Sequence, residues 1–254
     1  KWLNQLATTT TILIVTPDTD LTDLEALLDG FPDVEADILS LTSLPGLAVG
    51  DLLSYDIVLT TNNTQWLSAG SVDPEVVGDV LADYLDAGGK VIVNQFAYSY
   101  DAWQMEGRFI DEGYGPFVPS TSDASTTVSL GSILASDHPI IQGVTELEYT
   151  GFVQNVGIAS GATAIASWNN GEYLLAANED VVALNMLPDY GNGDGFSWTG
   201  DLSLIYHNAI QYLGGSSFVE FSTSEGVVGA GESEVVDVIF NSGGLNSGTY
   251  LTDI

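Results

Sequence analysis

Short runs of consecutive apolar residues, set a helix-length apart, constrain this chain more than any other feature. Ile12-Leu13-Ile14-Val15, Ile57-Val58-Leu59 and Val91-Ile92-Val93 are too short for buried helices and show no polar alternation. A strand that is apolar on both faces belongs inside a parallel sheet with helices above and below. The intervening segments supply those helices. Leu21, Leu24, Leu27 and Leu28 fall on one helical face that ends at Gly30. Residues 47–54 read as a second, short helix. Asp73-Pro74 opens a third, with Val76, Val77, Val80, Leu81, Tyr84 and Leu85 as its apolar set and Gly88-Gly89 at its close. Residues 34–41, 55–60 and 90–94 are the second, third and fourth strands. The expected fold class is α/β.

The pattern then loosens. Residues 97–125 read as loop, with Tyr98, Tyr100, Trp103, Tyr114 and Phe117 but few aliphatics. Residues 126–130, 151–156, 163–168, 172–176 and 180–187 read as β segments. A Gly-rich loop over 188–200 leads to a helix over 201–213. Gly214-Gly215-Ser216-Ser217 has linker composition. Beyond it, residues 218–222 and 234–240 alternate apolar and polar, as half-buried antiparallel strands do, and 248–252 looks like a third. Three strands fall short of the about seven that close a sandwich. The expected organisation is an N-terminal extension (1–10), an α/β domain (11–214) and a partial β module (215–254).

Charge narrows the function. Against 35 Asp and Glu the 254 residues hold only Lys1, Lys90 and Arg108, a formal charge of −32. Nucleic acid is excluded as a partner, since phosphate neutralisation needs clustered cations. An anionic membrane surface is disfavoured for the same reason. Membrane insertion is not expected either, because no run reaches the about 18 apolar residues of a spanning helix. Self-repulsion on this scale is relieved by counterions, either in an extracellular medium containing salt or Ca²⁺ or in the cytosol of a halophile. Charged residues make up only 15% of the chain, and Ser, Thr, Asn and Gly supply the polar surface. Extracellular localisation is therefore the expectation. Residues 1–7 are too short for a signal peptide and lack a cleavage pattern, so a secreted chain would be a mature or internal fragment. Asn62-Asn63-Thr64 is a glycosylation sequon at Asn62. Cysteine is absent, which excludes disulfides, thiolate metal sites and a Cys nucleophile in this chain.

Three stretches carry a family resemblance. They are Leu81-Ala82-Asp83-Tyr84-Leu85-Asp86-Ala87-Gly88-Gly89-Lys90-Val91-Ile92-Val93, then Asp137-His138-Pro139-Ile140-Ile141-Gln142-Gly143-Val144, and His207-Asn208-Ala209-Ile210-Gln211-Tyr212. Together they resemble the class I glutamine amidotransferase-like superfamily in its ThuA-like branch, over about residues 10–213. The resemblance implies a flavodoxin-like three-layer sandwich with a mainly parallel sheet. The tail, with Gly229-Ala230-Gly231-Glu232-Ser233 and Gly248-Thr249-Tyr250, is similar to Ig-like modules of large secreted bacterial proteins. It implies a partial Ig-like β-sandwich.

In the amidotransferases a Cys sits on the tight turn after the strand equivalent to residues 90–94. Here that turn reads Asn94-Gln95-Phe96-Ala97-Tyr98, so the family's nucleophilic chemistry does not carry over. Ser99 lies nearby without a G-x-S-x-G frame. His138, before Pro139, reads as a turn residue; His207, beside Leu204, Ile205 and Ile210, reads as a packing or surface residue of a helix. Their sequence separation offers no local metal-ligand spacing, and nothing singles out a pair of acids for glycoside hydrolysis. The chain is expected not to be an enzyme. Arg108 is expected to fix the 97–125 loop through an ion pair with Asp111, Glu112 or a more distant acid, with recognition of an anionic substrate as the alternative.

No organic cofactor is expected, and Ca²⁺ is the ion that the acidic loops suit. Asp18, Asp20 and Asp23 follow the first strand, where α/β folds bind ligands; Asp20 and Asp23 equally suit capping of the next helix. Asp189, Asn192, Asp194 and Asp201 form the second candidate. Counted from Tyr190 they mimic an EF-hand loop with Tyr in first place and Asp in last, and a plain Gly-rich turn is the alternative. Tyr98, Tyr100, Trp103 and Tyr114 suit either stacking on sugar rings or a lid over the core. The leading expectation is a non-catalytic secreted structural module that self-assembles into a filament or surface layer. Its partners are other copies, through strand complementation by 218–254 and an N-terminal segment bearing Trp2, Leu3 and Leu6. The alternatives are an accessory carbohydrate- or peptide-binding domain of a secreted hydrolase and a ThuA-like carbohydrate-active enzyme.

Overall fold

Every apolar run of the first ninety-four residues becomes a strand covered on both faces. The computed structural model describes residues 9–43, 46–67, 72–188, 195–214, 219–221 and 238–240. Strands and helices alternate as β1 (Thr10–Thr16), α1 (Thr22–Asp29), β2 (Val34–Ser40), α2 (Val49–Leu52), β3 (Ile57–Thr60), α3 (Pro74–Asp86) and β4 (Lys90–Asn94). The period of two along β1 splits the core. Ile12 and Ile14 join one apolar cluster with Leu24 and Leu28 of α1. Leu13 and Val15 join the other, with Leu52 of α2 and Val77 and Leu81 of α3. The start of α3 follows the cap rules: Asp73 Oδ1 accepts from the Glu75 N–H at 3.0 Å, and Pro74 occupies the first turn.

The second half continues as α4 (Arg108–Asp111), β5 (Phe117–Val118), β6 (Asp123–Ile133), β7 (Leu147–Gln154), β8 (Gly157–Ile158), β9 (Thr163–Trp168), β10 (Tyr173–Ala177), β11 (Val181–Leu184), β12 (Ser197–Gly200) and α5 (Leu202–Gly214). Residues 97–125 are thus more ordered than loop, since α4 and β5 lie within them. Ile205, Tyr206 and Ile210 of α5 pack into the cluster on the α1 side, and Phe109 of α4 into the opposite one.

Ten strands form one sheet in the order β12-β7-β6-β9-β10-β11-β4-β3-β1-β2. The four pairings from β2 to β11 are parallel. The five from β11 to β12 are antiparallel. The expectation of a mainly parallel sheet is corrected to a mixed one. Short turns such as the one between β9 and β10 permit only antiparallel neighbours, whereas a parallel pair needs a long crossover. Strand β11 is the pivot, parallel to β4 and antiparallel to β10.

The chain divides into two compact units, Lys1–Gly214 and Gly215–Ile254. In the second, β13 (Val219–Phe221) and β14 (Val238–Phe240) pair antiparallel. No Ig-like sandwich is evident among the described residues, and the expected strand at 248–252 lies outside them. So do Trp2, Leu3 and Leu6.

Candidate functional site

The order of the parallel strands sets the site. The chain runs from β1 outward to β2, then returns to β3 on the other side of β1. The carboxyl ends of β1 and β3 therefore flank the topological switch point, where open α/β sheets bind ligands. Asp18 follows β1 and is 8% exposed. Its Oδ2 accepts from the Asn63 N–H at 2.6 Å and from Thr16 Oγ1 at 3.3 Å, and its carbonyl accepts from Ser40 Oγ at 2.9 Å. One residue, through its carboxylate and its carbonyl, thus ties together the ends of three strands.

Beside it runs a row of buried neutral amides and hydroxyls: Thr60, Thr61, Asn62, Asn94, Gln95, Gln154 and Asn185. Asn94 ends β4 and faces α5, where the Tyr206 hydroxyl donates to its Oδ1 at 3.0 Å. Gln95 Nε2 donates to the Phe152 carbonyl, and its Oε1 accepts from the Tyr149 hydroxyl at 3.1 Å. Asn185 Nδ2 donates to the carbonyls of Gln154 and Tyr173 at 2.7 and 2.8 Å, while its Oδ1 accepts from the Gln154 N–H. Burial pushes the Tyr206 hydroxyl well above its ordinary pKa, so it stays a neutral donor. Thr60 Oγ1, Asn62 Oδ1, Asn94 Nδ2 and both polar atoms of the Gln154 side chain are buried without a hydrogen-bond partner. Aromatic rings border the row. Phe96 lies 4.9 Å from Trp103 and 6.0 Å from Phe152, and Phe152 lies 6.0 Å from Phe196. Hydrogen bonding and stacking are what this edge can do chemically.

The four aromatics expected as a sugar platform separate. Tyr98 is buried against Phe109 and Phe117. Tyr114 donates to Asp86 Oδ1 at 2.7 Å, away from the strand ends. Trp103 packs on Phe96, and Tyr100 is 39% exposed. Phe96, Phe152 and Phe196, which carry the platform with Trp103, come from segments far apart in sequence and leave no local signal. Asn185 did leave one, as a lone amide inside the apolar run Val181-Val182-Ala183-Leu184-Asn185-Met186-Leu187.

The remaining candidates lie elsewhere. His138 and His207 both touch the α5 side but not each other's partners. His138 Nδ1 accepts from the Ile140 N–H at 3.4 Å, its ring meets Tyr212 at 4.9 Å, and burial lowers its pKa. His207 Nε2 sits 3.2 Å from Asp33 Oδ1, with its ring stacked on Phe31. Arg108 clasps Asp83, Asp86 and Glu112 at 2.5, 2.7 and 3.3 Å and lies over the Tyr114 ring. Its partners come mainly from α3, and Asp111, one of the acids expected to pair with it, is not among them. These bonds raise the Arg108 pKa further and hold the Asp86 carboxyl below the usual carboxylate range.

The Asp candidates for Ca²⁺ do not converge. Asp20 accepts from Thr22 Oγ1 at 3.1 Å instead of capping α1, whose N-cap is Leu21, and Asp23 is exposed in the first turn. Asp201 Oδ2 accepts from the Thr145 N–H, the Thr145 hydroxyl and the Glu146 N–H at 2.7, 3.0 and 3.0 Å, which lowers its pKa. Its side chain is thereby committed to the turn before β7. Asp189, Asn192 and Asp194 lie outside the described residues. Among the described residues no three His, Asp or Glu side chains form a metal-holding group. The Asn62 sequon is corrected: Asn62 is fully buried, and its Nδ2 donates to the carbonyls of Thr64 and Trp103 at 3.3 and 3.2 Å. A transferase cannot reach that nitrogen in the folded chain. An open hollow of about 330 Å³, lined by Ser129, Thr145, Glu146, Glu148 and Thr199, lies at the opposite end of β7.

No protein-family model and no curated protein matches the sequence. Solved structures do. A ThuA-like protein of Bacteroides uniformis superposes with a TM-score of 0.60 at 13% identity, over 84% of this chain and 95% of that one. Two cytoplasmic proteins of Salmonella typhimurium follow, each at 13% identity. Their TM-scores are 0.58 and 0.53, over 79% and 81% of this chain and 98% and 97% of theirs. The extracellular expectation is corrected by the latter two. Those two proteins, with this fold, are cytoplasmic, and acidity alone does not put a chain outside the cell. At this identity the likeness is one of fold: the chain carries a flavodoxin-like α/β domain.

Proposed function

We propose that this domain is a non-catalytic binding module that holds a neutral, hydroxyl-bearing ligand of the sugar class at the carboxyl edge of its parallel strands. One observation carries the reading. The turn where amidotransferases use a thiol offers the amides of Asn94 and Gln95, and these are bonded to Tyr206, Tyr149 and Phe152. A carboxamide is neither nucleophile nor base near neutral pH. What surrounds it, neutral donors and acceptors beside the rings of Phe96, Trp103 and Phe152, is the chemistry that recognises sugars. Saturation-transfer NMR of the full chain against neutral mono- and disaccharides, methyl α-glucoside among them, tests it. Transfer to at least one sugar, lost in Trp103→Ala, is the expected result. Silence across the panel removes the binding reading, and turnover of a bound sugar, or ammonia released from glutamine, removes the non-catalytic one.

Self-association is a second reading. Among the described residues of the second unit β13 and β14 form one two-stranded ribbon, and such a ribbon alone is at best marginally stable in water. Strands from another copy would extend it. Sedimentation velocity over a wide concentration range is the check, and a monomer throughout rejects it.

A further inference from the structure

Residues 99–106 cross the carboxyl ends of β3 and β4 as a strap. On the β3 side two adjacent residues anchor it. The Trp103 carbonyl accepts from Trp66 Nε1 at 3.0 Å and from Asn62 Nδ2 at 3.2 Å. The next contact is weaker, with the Trp66 N–H reaching the Ala102 carbonyl at 3.4 Å. Beyond it the strap is held by the Met105 N–H to the Ala97 carbonyl at 3.1 Å, by the Glu106 N–H to the Pro74 carbonyl at 3.4 Å, by the buried Met105 side chain and by the Trp103 ring on Phe96. Asn62, which holds the strap with its Nδ2, keeps a buried Oδ1 without a partner; Thr60 Oγ1 and Asn94 Nδ2, at the same strand ends, are in the same condition.

These two features oppose each other. Burying an unpaired polar atom carries an uncompensated desolvation cost, so the closed strap is penalised at the place it covers. Lifting it would hydrate Asn62 and neighbouring atoms and uncover the faces of Phe96 and Trp103, at the loss of few hydrogen bonds. Regions with few bonds open at lower free energy than the whole molecule. We infer that residues 99–106 form a gate that opens without global unfolding and controls access to the carboxyl edge. The gate rests on the binding reading above for its purpose, but its opening is a property of the free chain. A ligand suited to the uncovered atoms brings a donor to Asn62 Oδ1 and an acceptor to Asn94 Nδ2, which one hydroxyl-rich ring can supply.

Hydrogen exchange of the full chain without ligand tests the opening. The amides of Trp66 and Met105 are expected to exchange at least about tenfold faster than those of Leu59 and Ile92 in the neighbouring strands. Trp66→Phe keeps a ring but removes the Nε1–H donor, and should speed exchange over 99–106 by about a further tenfold with the strands unchanged. Trp103→Leu, which removes the contact with Phe96, is the second variant should the first fail to fold, with the same expected direction. Strap amides that exchange together with β3 and β4 in wild type and variant alike overturn the gate. Methyl α-glucoside, added last, should slow strap exchange. Rapid strap exchange with no sugar response keeps the opening and counts against the binding reading, so the two failures are distinguishable.

Discussion

The Asn63 N–H donates to Asp18 Oδ2 at 2.6 Å, joining the segments that leave β1 and β3 at the point where the sheet's strand order reverses. Asp18→Ala leaves this amide, in a largely buried setting, without its acceptor. The expected loss of stability is about 1–3 kcal/mol by urea denaturation. Asp18→Asn, which keeps an acceptor oxygen, should recover part of it. Equal stability of wild type and Asp18→Ala would show that the bond does not hold the crevice together.

Gly78 and Gly50 make a paired test of packing against propensity. Alanine is favoured over glycine inside a helix by about 1 kcal/mol. A Cβ on Gly78, in α3, would run into the Glu106 carbonyl, whereas one on Gly50, in α2, meets nothing within 4 Å. Gly78→Ala should lower the melting temperature because backbone cannot yield as a side chain can. Gly50→Ala should raise it slightly. The same sign at both positions would mean that the α3–Glu106 approach is looser than the structure has it.

Among the described residues Arg108 is the only cation paired with Asp83, Asp86 and Glu112. Arg108→Gln leaves three carboxylates facing one another on an already acidic surface. The variant is expected to melt below wild type at low ionic strength and to recover towards it in molar NaCl, because screening acts on exposed charges. A deficit that ignores salt would assign the role of Arg108 to packing on Tyr114 instead.

Acid should destabilise the fold in two stages. Burial lowers the His138 pKa in the folded chain. Below the unfolded value of about 6.5 the unfolded chain therefore takes up a proton first, and stability falls as pH drops through the folded value. His138→Gln should remove this first stage. Asp201 is lowered by the N–H groups of Thr145 and Glu146. Its contribution is complete above the unfolded value of about 3.9 and is lost as pH falls through the folded one. Thermal melts from pH 8 to 3 read both stages. A flat profile between pH 7 and 5 in wild type contradicts the assignment to His138.

The parallel half of the sheet could be read from Ile12-Leu13-Ile14-Val15 and its counterparts because a strand buried on both faces has no polar positions to hide the signal. The cap at Asp73-Pro74 was legible for a similar reason, since capping involves only near neighbours in the chain. The antiparallel half was visible as segments but not as pairings. Register between β6 and β7 or between β11 and β4 depends on distant partners, and β11 becomes parallel only by docking on β4. The edge site was the least legible part. Phe96, Trp103, Phe152 and Phe196 meet across about a hundred residues of chain, and Tyr98 and Tyr114, equally aromatic and closer in sequence to Trp103 than Phe152 or Phe196, turn elsewhere. Residue type and local spacing report which face of an element is buried; which faces then meet is settled by long-range packing, to which no short window of sequence is sensitive.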